Sequence, residues 1–416
     1  MHAGAVILLA GVAAALPAVT RHFGITGFIM AYALSACLWL LARRMTVSLR
    51  AALIIAAAVR TSFLFADPQL SDDVFRYLWD GRVLTSGINP YSASPSDPRF
   101  DTLRQRWHAR INHPEIGTIY PPLAEILFAA AKTLLSWRLM LIIADLVALR
   151  LMRSRPDLLL AAALFPPLLV EGIWNAHVEG IAAMLLMAAF VQGSGAAAGA
   201  AAGIKIIPIA ALPALICRSR RRIRFALACA ATIALPAVPF LFGSHFMSGM
   251  RDYAMRWVFN SPLYDAIFLL AERMHAAAHL KEIWTAIKDP LHLEPIAPFV
   301  YSHLYSDFLT RGALAVFAIA AIAVLARETG KVSDGIGALL LCSPAIHPWY
   351  WIVLVPVAML EGRALWVSLS LAAPLSYLLY PSAGQGAAIP PAAVYLLCYA
   401  LPVLITARLR PSRSVT

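Results

Sequence analysis

Apolar runs of membrane-crossing length recur along the whole chain, and no other feature restricts the possible folds so severely. A hydrocarbon core of roughly 30 Å needs about 20 apolar residues in helical form. Runs 4–19, 25–42, 50–66, 223–242, 308–326, 364–380 and 390–407 approach that length with few charges. Inside lipid every backbone polar group needs an internal partner, so only helices and closed barrels span. The short alternating strands of a barrel are not the pattern here. A mean hydropathy of +0.73 and a 61% hydrophobic content lie far outside the soluble range. The sequence therefore describes an all-α polytopic membrane protein, one integral domain over 1–416 with about eleven to fourteen spans. Only His2 precedes the first run as a basic group, so that run reads as a retained span and not a cleaved leader. Cys37, Cys217, Cys229, Cys342 and Cys398 sit singly in or beside apolar runs, as small hydrophobes do, without metal or disulfide spacing.

The net charge of +12 does not imply nucleic acid. Arg43-Arg44 with Arg50, then Arg150, Arg153 and Arg155, the cluster Arg218 to Arg224, Arg327 with Lys331, and Arg408, Arg410 and Arg413 each flank an apolar run. That distribution marks cytoplasmic loops, with an unspecific attraction to anionic headgroups. Both termini then lie inside, while 67–118 and 244–306 lie outside as amphipathic helices roofing a cavity. The turns Trp174 to Glu179 and Ser343 to Tyr350 face the same side. Parity requires a single net crossing between 114 and 152, which makes 114–136 a re-entrant or surface helix beginning at Pro121-Pro122. Lys205 and Pro208 divide 194–217 into two half-height helices meeting at the outer face.

In a chain with 13% charged residues, the stretch 67–91 holds Asp67, Asp72, Asp73, Arg76, Asp80 and Arg82. Ser71 suits an N-cap, with Asp72 and Asp73 in the first turn that follows. At helical spacing Asp73, Arg76, Tyr77 and Asp80 share a face, while Phe75, Leu78 and Trp79 lean to lipid or core. Gly81 closes that face, and Gly87-Ile88-Asn89-Pro90-Tyr91 forms a turn. A capped surface helix accounts for the acids alone; it does not account for so many ions beside a bilayer, where unpaired charge is costly. A carboxylate at a helix N-terminus is held ionised. That suits glycosyl transfer, whose anomeric carbon turns cationic early while the acceptor hydroxyl loses its proton late.

The series Ser71-Asp72-Asp73-Val74-Phe75-Arg76-Tyr77-Leu78-Trp79-Asp80-Gly81-Arg82, then Gly87-Ile88-Asn89-Pro90-Tyr91, resembles the first outer loop of bacterial GT-C glycosyltransferases. The polyprenyl-phosphate-mannose-dependent mannosyltransferases are the group it resembles best. His113-Pro114-Glu115, Ile119-Tyr120-Pro121-Pro122, Trp174-Asn175-Ala176-His177-Val178-Glu179-Gly180, Gly203-Ile204-Lys205 and Ser343-Pro344-Ala345-Ile346-His347-Pro348-Trp349-Tyr350 follow in family order. The chain departs in having three apolar runs before the loop, and Val178-Glu179 after His177 where an Asp is commoner. The resemblance implies a GT-C-like bundle in a bacterial inner membrane and cell envelope. It further implies a polyprenyl-phosphate sugar donor, inversion without metal or cofactor, and a first-loop aspartate as base. The acid four residues before the tyrosine is Asp73, with Asp72 as the alternative. The acceptor it implies is extracytoplasmic, a lipid or a glycan.

Other residues carry paired readings. Lys205 either snorkels to the interface or pairs with the donor phosphate. His347, beside Trp349 and Tyr350 in an aromatic belt, is placed to hydrogen-bond a phosphate or sugar. His113 and Glu115 form a substrate-contacting turn or a plain Pro-ended loop. His177 and Glu179 cap a span or touch substrate. Arg251, Tyr253, Arg256, Trp257 and Asn260 hold lipid headgroups or substrate. Asp145 belongs to a structural pair with Arg138 or Arg150. The competing function is a transporter or flippase, which predicts two related halves and mid-membrane ions; the halves here differ and the ions crowd one boundary. A hexosyltransferase acting within the membrane is the function expected.

Overall fold

The computed structural model describes residues 2–241, 245–380 and 389–409. Helix α1 (His2–Ala42) contains both of the first two expected spans. Gly24 divides it, at φ 64° and ψ −156°, a conformation that glycine alone adopts cheaply. Both sides of the break lie at one end of the bundle. The Pro17 carbonyl accepts from Gln69 Nε2 at 3.1 Å, and Phe28 packs 6.2 Å from Trp174. At the other end, next to Arg43, the Trp39 indole donates to the Ala161 carbonyl. Helix α2 (Leu49–Thr61) returns from that arginine-rich end, capped by Ser48.

Helix α3 (Asp73–Thr85) starts the acidic loop, which continues through short 3-10 turns to Arg110. Pro121 and Pro122 then start α4 (Pro122–Ala129), which bends by 117° into α5 (Leu134–Leu151). A short helix does begin at Pro121-Pro122, and the sharp bend after it fits either a re-entrant piece or a broken span. Gly81 of α3 lies against α4 so closely that a Cβ there would stand 2.3 Å from the Phe128 carbonyl oxygen. Helix α6 (Pro156–Ala163) bends by 59° into wide π turns over Leu168–Trp174, a conformation that accompanies functional sites. Asp145 of α5 is ion-paired with Arg60 of α2, not with Arg138 or Arg150. Positions seven and five residues along the same helix, Arg138 and Arg150, do not face Asp145 as i±3 or i±4 positions would, whereas a neighbouring helix presents Arg60 to it. Arg138 instead donates to the carbonyls of Leu64, Ile173 and Trp174, where it ties down the ends of two broken segments.

Helices α7 (Glu179–Gln192) and α8 (Gly195–Ile204) form a tight pair, and the chain breaks at Lys205 before α9 (Leu212–Arg218). The stretch 194–217 is thus divided at Lys205 into two short helical pieces. Helix α10 (Arg222–Ala234) leads to α11 (Ser248–Arg256), α12 (Pro262–Arg273), α13 (Ala276–Lys288) and α14 (Ala297–His303). Leu269, Leu270, Ile283 and Ile287 project outward from this group, the amphipathic character expected of 244–306. Helices α15 (Ser306–Glu328), α16 (Val332–Leu341), α17 (Val355–Leu360) and α18 (Ala364–Ala372) complete the core, with α19 (Pro391–Tyr395) and α20 (Leu401–Leu409) at the end. Among the described residues three helices are long and apolar enough to cross a membrane, and two bent pairs qualify when each is taken as one span. Several shorter apolar helices accompany them. Arg410 and Arg413 of the basic tail, and the side chain of Arg408, lie outside the described residues.

Candidate active site

A cavity of about 500 Å³ opens at the acidic-loop end, between residues 69–76, 112–120, 253–259 and 347–350, with Lys205 and Tyr380. Its acids come from the start of α3. Asp72 is the cap residue and Asp73 the first helical one, one place later than the Ser71 cap would give; Ser71 Oγ accepts from the Asp73 amide at 3.3 Å. The doublet is divided by its partners. Asp72 accepts from Arg110 Nε and Nη2 at 3.1 and 2.8 Å, and Arg110 also binds Asp67 and the Pro68 carbonyl. Asp73 accepts only from Asn112 Nδ2, at 2.8 Å, and its second oxygen lies 3.8 Å from His177 Nδ1. The helix N-terminus does not hold Asp73 low. Burial raises its pKa, against the opposing pull of Asn112 and Lys205.

Arg76, one turn on, lines the same cavity. Its Nε bonds both oxygens of Asp80 and its Nη1 the Ile116 carbonyl, which leaves buried Nη2 without a hydrogen-bond partner. Tyr77 stands behind the wall, stacked 4.7 Å from Phe128 and edge-on to Trp137. Asp80, Arg82, Asn89 and Tyr91 do not reach the cavity, because each further turn of α3 carries the chain about 5.4 Å away. Asp80 is the buried counter-ion of Arg76. Asn89 caps the turn through the Tyr91 amide, and the Tyr91 hydroxyl donates to the Tyr120 carbonyl, so both shape the wall. Tyr120 and His113 line it; Glu115 is exposed and approaches only His113, at 3.5 Å. Arg256 is exposed and outside the lining, whereas Tyr253 and Trp257 from the same helix end are within it.

The far wall comes from two chain breaks. Lys205 pairs with buried Glu179 at 2.7 Å and sits over the rings of Tyr120 and Tyr350, at 5.2 and 4.8 Å. It thus supplies a charge to the cavity while neutralising a buried acid. His177 and Glu179 lie behind the lining as supports. The turn that presents them is strained: Ala176 takes φ 61°, which costs a non-glycine residue about 1 kcal/mol. Trp137 Nε1 holds its carbonyl at 2.7 Å. Rings of His177, Trp349, His347, Phe259 and Tyr380 stack in one column, at successive centroid distances of 4.1, 4.5, 4.7 and 5.0 Å. His347 therefore lines the cavity as a ring in a stack, and burial first, then the charge of Lys205, pushes its pKa down to about 3. The Tyr253 and Tyr350 hydroxyls meet at 2.6 Å. Phe259 reaches the column through a parallel bridge, its amide on the Pro344 carbonyl and its carbonyl on the Ile346 amide.

Asn112, Gln69, Phe259 and Tyr380 line the cavity although no motif reading singled them out. Asn112 had a local cue, adjacency to His113-Pro114; Phe259 and Tyr380 had none, because tertiary pairing alone brings them in. No group of three or more His, Cys, Asp or Glu that could hold a metal ion occurs among the described residues.

An all-helical membrane protein with a carboxylate, two cations and stacked rings around an open cavity is the class defined by this fold and site. Within it, residues 4–113 match the family model for the alpha-(1->6)-mannopyranosyltransferase N-terminal domain of the MptA_B family. That segment covers α1, α2, α3 and the loop bearing Asp73. The mannosyltransferase resemblance read from 71–91 is borne out there, and glycosyltransferase is the activity class it supports. The motifs at 177, 205 and 347 lie beyond the matched segment. No curated protein and no solved structure matches the chain.

Proposed function

We propose that the protein transfers a hexose, mannose by the family match, from a polyprenyl-phosphate donor to an acceptor hydroxyl, with inversion at the anomeric carbon. The observation that carries this reading is the division of the aspartate doublet: Asp72 is bound by Arg110, while Asp73 meets the cavity with a single neutral donor on it. The acceptor oxygen bonds to C1 as the C1–O bond to phosphate breaks, its electron pair leaving with the phosphate. The acceptor proton passes to Asp73, whose raised pKa makes it a better base than an ordinary aspartate. Arg76 Nη2 and Lys205 are the cations that would bind the leaving phosphate. The ring column offers flat apolar faces for the sugar.

In this reading 67–118 is the catalytic outer loop and 244–306 the second. The cavity faces the outside of a bacterial inner membrane, both termini are cytoplasmic, and the acceptor is a lipid or glycan. A lipid-bound donor accounts for a site at the edge of a membrane-embedded bundle. The test is mannose transfer from synthetic polyprenyl-phosphate-mannose by the purified protein in detergent, with the product's anomeric configuration read by NMR. Absence of transfer refutes the enzyme, and retained configuration refutes the single displacement.

A further inference from the structure

Behind Asp73 lies a buried acid for which the transfer step has so far no use. Glu171 sits in the wide π turns Leu168–Trp174, fully buried. Its Oε2 accepts from the Tyr377 hydroxyl at 2.9 Å, and its Oε1 has no hydrogen-bond partner. His177, equally buried, stands between this acid and the cavity. Its Nε2 is 3.7 Å from Glu171 Oε2 and its Nδ1 is 3.8 Å from Asp73 Oδ2, so each ring nitrogen faces an acid. Nε2 has no hydrogen-bond partner, and the Tyr77 hydroxyl approaches Nδ1 only to 3.5 Å. The ring lies flat against Trp349, at 4.1 Å and 11°, which holds both nitrogens on this line. The His177 amide donates to the Glu171 carbonyl at 3.0 Å, so the backbone ties the two residues together across the turn.

We propose that His177 and Glu171 form a proton relay behind Asp73, an inference that rests on the glycosyl-transfer reading. The acceptor O–H bond breaks and its proton goes to Asp73. In the same step Asp73 Oδ2 passes a proton to His177 Nδ1, while His177 Nε2 releases its own to Glu171 Oε2. Only protons move: His177 begins and ends neutral, with its proton on the other nitrogen, and the negative charge passes from Glu171 to Asp73. When product leaves, the reverse sequence returns the proton through Asp73 to the cavity. A proton left on Asp73 would face the new glycosidic oxygen and could drive the reverse reaction; on Glu171 it is out of reach. Catalytic hydrogen bonds are often long in an unliganded site and tighten once substrate binds. Here each gap closes to hydrogen-bond length with a shift of roughly 0.5–1 Å.

The test is mannose transfer from polyprenyl-phosphate-mannose by the full chain in detergent, run in mixtures of light and heavy water. With the relay in place, wild-type kcat plotted against deuterium fraction bows below a straight line, because more than one proton moves in the transfer step. Glu171→Gln keeps the side chain's size and an oxygen for Tyr377. It should lower kcat about tenfold or more and straighten that plot, without raising the donor KM or lowering the unfolding temperature. In the Asp73→Asn background the same substitution should have no further effect, since the relay starts at Asp73, whereas a purely structural role would slow both backgrounds alike. A straight wild-type plot overturns the relay and needs no variant to fold. Wild-type kcat in Glu171→Gln, or equal losses in both backgrounds, also overturns it while leaving sugar transfer standing. Absence of transfer by the wild-type protein refutes the glycosyl-transfer reading and the relay with it.

Discussion

Replacing Asp73 by Asn removes a proton acceptor while leaving nearly everything else in place. The side chain has 16% exposure and one direct hydrogen bond, from Asn112. An amide oxygen still accepts that bond, so the conformational change should be small. Burial already disfavours the charged form of Asp73, so the neutral variant should differ in folding stability by under about 1 kcal/mol. Loss of a general base slows turnover by roughly 10²–10⁴, equivalent to about 3–5 kcal/mol of barrier. Asp72→Asn is the internal control. Arg110 keeps Asp67 and the Pro68 carbonyl, and the lost pair is half-exposed and worth at most about 1 kcal/mol. Transfer of radiolabelled mannose from polyprenyl-phosphate-mannose measures turnover, with thermal unfolding of each variant as the folding control. Turnover in Asp73→Asn within threefold of wild type, or a greater loss in Asp72→Asn, would refute Asp73 as the base.

The base must be ionised to act, so kcat/KM should fall as pH drops through a pKa above the ordinary carboxylate value of 3.8; this acid limb should be missing from the residual activity of Asp73→Asn. His347, pushed down to about 3, stays neutral between pH 5 and 8 and should add no limb there. Lys205→Met strands buried Glu179, a loss of about 3–5 kcal/mol on the scale of broken buried pairs. Adding Glu179→Gln should restore the unfolding temperature but not the donor KM, and restored donor affinity would deny Lys205 a phosphate role. Gly81→Ala places a methyl against the Phe128 carbonyl and should cost about 1–3 kcal/mol by forcing α3 from α4, visible as a lower unfolding temperature. Trp349→Ala opens the middle of the ring column and should raise the donor KM about tenfold, read from initial rates.

What the sequence disclosed divides along a physical line. Signals local to one helix survived into the structure: the acidic start of α3, the break at Lys205, and the short steep helix at Pro121-Pro122. Each depends on spacing, charge or proline within a few residues. Predictions that needed a distance between segments fared differently. Asp145 found Arg60, which is 85 residues away in sequence, because a neighbouring helix presents it while positions five and seven residues along α5 do not face Asp145. Arg82 and Asn89 looked like site residues by proximity to Asp73 in sequence, but α3 carries them away from the cavity. Helical spacing cannot tell which of two adjacent acids has a cation beside it; Arg110 decided between Asp72 and Asp73 from 38 residues off. The ring column was illegible for the same reason, since its members derive from four chain segments joined by a single bridge.

The interruptions in the helices and the position of the cavity have one cause. Backbone freed from helical bonding at membrane depth is tolerated only where it is buried in protein or lines a wet space. Two such breaks line this cavity, at Lys205 and at residues 342–347 after α16, and the turn before α7 stands just behind the lining. Carbonyls of the turn before α7 and of residues 342–347 find donors from other segments. Trp137 and Arg138 serve Ala176, Ile173 and Trp174, while the Ser261 hydroxyl and the Phe259 amide serve Ser343 and Pro344. Those donors fix the turns that carry His177 and His347. A continuous helix in place of residues 342–347 would remove His347 from the cavity and leave the Ser261 hydroxyl and the Phe259 amide without their acceptors. Irregular backbone and polar side chains thus come together around this cavity.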